Sequence, residues 1–146
     1  PILNGGFMGG KLGSCLCGGV RFKLHGQLRS VIYCHCSQCL RTHGHFAAYT
    51  AVLKEKLEWQ DQQSLSWYES SDQARRGFCN NCGASLFFKR RNGDTLSIAA
   101  GALENPTGLS ASGHIYFAYR SDYYEVLDPL PKFKEDPGEE FRGWKL

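Results

Sequence analysis

The 146-residue sequence contains no apolar run approaching the roughly 18 residues that a membrane-crossing helix requires. Its start also lacks the charged-then-apolar layout of a secretory signal, so the chain reads as soluble and cytoplasmic, with no membrane partner. A strong charge of one sign is missing as well. Seventeen Lys and Arg against 14 Asp and Glu leave a formal charge of +3, which disfavours a dedicated nucleic-acid partner. The nearest basic groupings, Lys89-Arg90-Arg91 and Arg75-Arg76, read as solvated strand ends or a hairpin tip. Methionine occurs once, as Met8. It reads as the natural start with a cloning remnant before it, and residues 1–12 are expected to form a disordered lead. Aromatic residues are plentiful: 13% Phe, Trp and Tyr beside only 21% charged residues excludes the composition of a disordered chain. The length suits one domain with a substantial core.

No long stretch shows a 3.6-residue period. Val20-Arg21-Phe22-Lys23-Leu24 instead alternates apolar and polar residues, the pattern of a half-buried strand. Short runs of similar character cover residues 31–33, 46–52, 57–59, 65–68, 77–79, 85–89, 95–100 and 114–119. Helical turns are expected only at 37–43 and 104–109. Asn92-Gly93-Asp94, between the apolar runs 86–88 and 96–98, predicts a hairpin with a type I′ turn, whose two central residues need positive φ. The tail, 129–146, with Pro129, Pro131 and Pro137, reads as an extended strap pinned by Phe133, Phe141 and Trp144. The expected fold is mainly β: a single domain of short antiparallel strands.

Seven cysteines are one short of complete pairing. In a reducing compartment, clustered cysteines point to metal binding or catalysis. Cys15-Leu16-Cys17-Gly18, Cys34-His35-Cys36-Ser37-Gln38-Cys39 and Cys79-Asn80-Asn81-Cys82-Gly83 account for them all. Two thiolates that converge on one ion at about 2.3 Å each need a tight turn between them. Gly18 and Gly83 suit a restricted conformation that aims the glycine N–H at sulfur. Cys15, Cys17, Cys79 and Cys82 then make a closed structural zinc site. Cys34, Cys36 and Cys39 have no fourth cysteine, and three protein ligands with an open position is the layout of a catalytic zinc. Three thiolates on a dication leave about one negative charge, so this ion ionises water poorly and suits capture of a substrate thiol as thiolate. Two alternatives stay open. His43 or His45 can close a second structural site, with His35 least suited because its ring points away between two ligands; or Cys39 pairs with Cys34 or Cys36 in a disulfide on oxidation.

The segments Gly13-Ser14-Cys15-Leu16-Cys17-Gly18-Gly19-Val20-Arg21-Phe22, Cys34 to Cys39, Arg76-Gly77-Phe78-Cys79-Asn80-Asn81-Cys82-Gly83-Ala84-Ser85-Leu86-Phe87, Ile98 to Leu103 and His114-Ile115 resemble the glutathione-dependent formaldehyde-activating enzyme (Gfa) family, which also contains centromere protein V. The resemblance spans about 13–128. It implies a zinc-bound β-tent fold, with structural zinc on Cys15, Cys17, Cys79 and Cys82 and catalytic zinc on Cys34, Cys36 and Cys39. The implied reaction adds glutathione to formaldehyde, a carbon–sulfur lyase activity whose partners are a small thiol and an aldehyde. His35, His43, His45 and Tyr49 are candidates for proton transfer or orientation. Arg41, Arg75 and Arg76 are candidates for the glutathione carboxylates, and Tyr116, Phe117 and Tyr119 for a pocket wall. The family's named enzyme is longer, so the substrate here can differ. The rival reading is a non-catalytic zinc module that binds a protein or nucleic acid.

Overall fold

Alternating burial along short segments generates most of the secondary structure, described over residues 10–138 in a computed structural model. In chain order the elements are β1 (Lys11–Ser14), β2 (Arg21–Leu24), β3 (Val31–Cys34), α1 (Ser37–His43), β4 (Ala47–Leu53), β5 (Leu57–Asp61), β6 (Leu65–Glu69), β7 (Ala74–Cys79), β8 (Ser85–Arg90), β9 (Thr95–Ala99) and β10 (Ala111–Ile115). They fall into two units, one of residues 10–28 and 50–108, the other of 29–49 and 109–138.

In the first unit, β1, β2 and β5 form an antiparallel sheet, with Gly13 opposite Phe22 and Phe22 opposite Trp59. β6, β7, β8 and β9 are successive antiparallel neighbours. The inward residues of both sets make the core: Val20, Phe22, Leu24, Leu86, Phe87, Leu96 and Ile98 are all buried. Phe22 meets Phe87 edge-on at 5.1 Å between ring centres, and Trp59 meets Phe87 at 5.4 Å, the arrangement that ring quadrupoles favour.

In the second unit, β3 pairs antiparallel with the start of β4, Cys34 lying opposite Ala47. On its other side β3 runs parallel to β10, with His114 opposite Tyr33 and Ile115 opposite Cys34. This is a departure from a purely antiparallel arrangement. A parallel pair requires a long crossover, and the chain between β3 and β10 supplies one. Beyond β10 the tail lies along that strand: His114 N–H donates to the Pro131 carbonyl and Phe133 N–H to the His114 carbonyl, both at 2.9 Å.

Four local expectations are corrected. β1 begins at Lys11, inside the expected disordered lead. Residues 104–109 are not helical, because Pro106 has no N–H to donate and its ring drives Asn105 out of the helical region. The 92–94 hairpin is present, but neither Asn92 nor Gly93 has positive φ. β8 extends to Arg90 and β9 starts only at Thr95, so the longer loop removes the demand for a primed turn, and Gly93 N–H donates to the Arg90 carbonyl at 3.3 Å. β10 ends at Ile115 rather than Tyr119, since Tyr116 adopts a left-handed conformation at φ 54 and a 3-10 turn follows. Met8, the segment before it, Phe141 and Trp144 lie outside the described residues.

Gly13 is required by a close approach. A Cβ there would stand 2.4 Å from Cε2 and Cζ of the fully buried Phe22 ring, whereas a Cβ at Gly101 would meet nothing within 4 Å. Gly13→Ala is therefore expected to destabilise by about 1–3 kcal/mol through overpacking, with Gly101→Ala nearly neutral. Urea denaturation of the two variants checks the contrast; equal stability would refute it.

Candidate metal centres and functional site

Two tight turns create the first thiol cluster. Cys15 N–H donates to the Val20 carbonyl and Cys79 N–H to the Ala84 carbonyl, both at 3.0 Å, so each pair of cysteines sits on a closed loop of the same kind. Gly18 and Gly83 occupy the left-handed region at φ 82 and 80, as the pairs require. The Gly83 amide does not aim at sulfur, however. Gly83 N–H goes to the Cys79 carbonyl at 2.8 Å, and it is the residue after each glycine, Gly19 or Ala84, whose N–H turns toward Cys17 or Cys82. Val20 N–H reaches Cys15 Sγ at 3.3 Å, and Cys82 N–H reaches Cys79 Sγ at 3.5 Å.

The sulfur spacing fits an ion. Tetrahedral thiolates about 2.3 Å from a metal lie about 3.8 Å from one another. Cys15 and Cys17 are 3.7 Å apart and Cys17 and Cys79 are 3.6 Å apart, and all four ligand atoms lie within 4.8 Å of one another. The amides also prepare the charge. The Ala84 N–H, with that of Cys17, holds the Cys82 thiol down to about 6, and the Asn81 side chain and Gly19 N–H lower Cys17. Burial raises Cys15.

The second cluster follows from a strand end running into a helix. Cys34 closes β3, and Cys36 is the N-cap of α1, where its sulfur accepts the Cys39 N–H at 3.3 Å. Gly44 ends the helix at φ 78 with its N–H on the Leu40 carbonyl, and Arg41 and His43 complement the C-terminal dipole. The three sulfurs again lie within 4.8 Å of one another, and among the described residues no histidine or carboxylate joins them. No disulfide joins any of the seven cysteines. Contacts with Cys36 and then Cys39, followed by burial, drive the Cys34 thiol far above its ordinary value. A cluster of this composition can hold a soft cation and leave a coordination position for an exogenous ligand.

The histidines near this cluster are engaged elsewhere. His43 Nε2 bonds the Tyr49 hydroxyl at 2.8 Å, and His45 Nδ1 bonds the Tyr123 hydroxyl. His35 is wholly buried, with Nδ1 2.7 Å from the Tyr124 hydroxyl and Nε2 2.8 Å from Nδ1 of His114, itself wholly buried. Nε2 of His114 then meets the Asp128 carboxylate at 2.9 Å. The carboxylate fixes the protons along the line. Asp128 accepts from His114 Nε2–H, His114 Nδ1 accepts from His35 Nε2–H, and His35 Nδ1 accepts the Tyr124 O–H. Burial, then the neighbouring His114, depresses His35 to about 4. Burial works against Asp128, but the His114 and Leu130 hydrogen bonds prevail and hold its carboxyl below the usual range.

His35 stands between Cys34 and Cys36 in the chain, so this line of polar groups begins next to the three-thiol cluster. Sequence reasoning singled out His35, His43, His45 and Tyr49 but missed Tyr123, Tyr124 and Asp128, and gave His114 no role. Phe117, expected in a pocket wall, packs its ring against His35 at 5.2 Å, while Tyr119 is half exposed. Arg41 belongs to the same unit as this cluster; Arg75 and Arg76 belong to the other.

His35 gives a signed pH dependence. Its folded value lies below the ordinary imidazole value of 6.5, so the unfolded chain takes up the proton first. The associated stability is present at neutral pH and is lost as pH falls from about 6.5 through about 4. The imidazole 15N shifts of His35 are expected to stay those of the neutral ring at pH 5, and His35→Gln should flatten the fall in Tm over that window. A protonated ring at pH 6 would overturn the assignment.

Comparison with known proteins agrees with this geometry. The profile described as "glutathione-dependent formaldehyde-activating enzyme" matches residues 11–119. An uncharacterized lyase of Schizosaccharomyces pombe is 32% identical over 126 residues, covering 85% of this chain and 90% of that one. A crystal structure of a Rhodobacter sphaeroides protein superposes with a TM-score of 0.54 at 24% identity, over 64% of this chain and 88% of that one, a likeness of fold. The matched span contains every cysteine of both clusters, and the relative is similar along nearly its whole length; the chain belongs to the glutathione-dependent formaldehyde-activating enzyme family.

Proposed function

We propose that the protein is a zinc-dependent carbon–sulfur lyase that adds a thiol such as glutathione to formaldehyde or another small carbonyl compound. The observation that carries this reading is the cluster of Cys34, Cys36 and Cys39, two of them buried, which no histidine or carboxylate joins among the described residues. Family membership and the lyase relative support the reaction class. Cys15, Cys17, Cys79 and Cys82 would hold a structural zinc, contributing on the order of 10 kcal/mol to folding.

Zinc bound by Cys34, Cys36 and Cys39 would supply a soft Lewis acid that favours the thiolate form of a substrate thiol, although its three thiolates leave the centre with about one negative charge. The surrounding residues manage the proton. As the new C–S bond forms, the carbonyl π pair becomes an oxygen lone pair, and the proton released by the thiol must reach that oxygen. Tyr124, held by His35, and Tyr49, held by His43, each present a hydroxyl that can take one proton while giving up another. Phe46, Phe117 and Tyr124 surround the His35 ring and keep bulk water from it.

Metal analysis combined with exchange spectroscopy of glutathione and its formaldehyde adduct tests the proposal. About two zinc ions per chain are expected, together with adduct exchange faster than without protein. Cys36→Ala should abolish the acceleration and reduce the metal content to about one ion, whereas Cys17→Ala should chiefly lower Tm. Full metal loading with unaltered exchange would eliminate this activity and leave the non-catalytic zinc module.

A further inference from the structure

β7 and β8 set two cations against each other. In their antiparallel register Arg75 stands directly opposite Lys89, and Ala74 opposite Arg90. Like charges so opposed repel. On its other side Arg75 faces Glu69 of β6. That carboxylate is already engaged: Arg91 Nη2 donates to its Oε2 at 3.2 Å, while Arg91 Nε donates to the Asp72 carbonyl at 3.0 Å. Glu69, Ala74, Arg75, Lys89, Arg90 and Arg91 line a single concavity of about 230 Å³. Four cations and one carboxylate therefore border the same space. Arg90 and Arg91 are exposed, as the sequence reading of a solvated strand end or hairpin tip has them, while Arg75 and Lys89 are half-buried. The cross-strand opposition of Arg75 and Lys89 is a repulsion that a bound anion would relieve; burial, then the Lys54 and Arg75 charges, also pull the Lys89 ammonium below its ordinary value against the opposing Asp94 charge.

We propose that this concavity binds a small phosphate-bearing anion with at least two negative charges, held by Arg75, Lys89 and Arg90. A lone carboxylate would leave the lining cationic and offers two oxygens in one plane. A phosphate offers oxygens in several directions to donors arriving from two strands, and guanidinium forks match its edges. The grouping is unlike a nucleic-acid track. The cations surround one pocket rather than forming a stripe, and the Trp67 ring is covered by Arg75, whose guanidinium carbon lies 4.2 Å from the ring centre. The site lies at the start of β7 (Ala74–Cys79), the end remote from its metal-cluster cysteine, and is independent of the lyase reading.

Calorimetry of the full chain with pyrophosphate, inorganic phosphate and acetate at matched ionic strength tests the proposal. Pyrophosphate should bind once per chain, at least about tenfold more tightly than acetate. Lys89→Gln and Arg90→Gln should each weaken it by about fivefold or more, with Lys56→Gln as an unaffected control. Circular dichroism checks that the variants are folded, and Arg90→Gln, on the exposed end of β8, carries the test should Lys89→Gln unfold. Equal weak binding of all three anions, or pyrophosphate affinity untouched by both variants, overturns the proposal. A single-stranded oligonucleotide that binds through these residues more tightly than pyrophosphate, with a steep salt slope, overturns it in favour of nucleic acid.

Discussion

The convergence of four sulfurs constrains the first unit more than any other contact. Cys17 and Cys79, 62 positions apart in the chain, bring their sulfurs to 3.6 Å. Closing so long a loop has an entropic cost, and free thiols at this spacing give little in return. The local turns reduce the task, because each cysteine pair is held by its own closed loop and its own amides. What remains is to dock two prepared halves. β7 delivers Cys79 to that junction and also supplies Gly77 beside the Trp67 and Phe87 rings, so the aromatic core and the thiol cluster share a strand.

The second unit meets a different constraint, that of polar groups enclosed without solvent. Two wholly buried imidazoles are tolerated because each ring nitrogen has a partner. Such a chain is strong when complete and costly when broken, since every member depends on the next for its proton. Its outer end is Asp128, which is partly exposed and also lies 3.6 Å from Lys132. The tail that carries Asp128 is therefore part of the site's support, and the bonds between 131–133 and β10 hold it in place.

What was legible in the sequence was mostly local. Cysteine spacing of two or three residues and a following glycine specify a turn, and α1 coincides with the helical expectation at 37–43. Period-2 burial revealed nine of the strands to within a few residues, because one buried face imposes that pattern. Pairing partners were not legible. The parallel alignment of β3 with β10 and the meeting of His35 with His114, 79 positions apart, depend on how distant segments pack. Asp128 stood in a proline-rich tail with no motif around it. The failed helix at 104–109 is a different case, since Pro106 carried the contrary signal in full view. The basic cluster was visible as a run of charges, but only strand register turned it into a concave, mutually repelling group.

Cys36 gives α1 an unusual dependence. One sulfur both caps the helix and belongs to the three-thiol group, so its lone pairs are shared between a backbone amide and any soft cation that enters. Were such a cation held there, helical order over 37–43 and ion occupancy would be linked through this one sulfur. Aspartate at position 36 would keep a good cap while surrendering the soft ligand. A single side chain can thus separate the folding of this segment from its affinity for thiophilic metals.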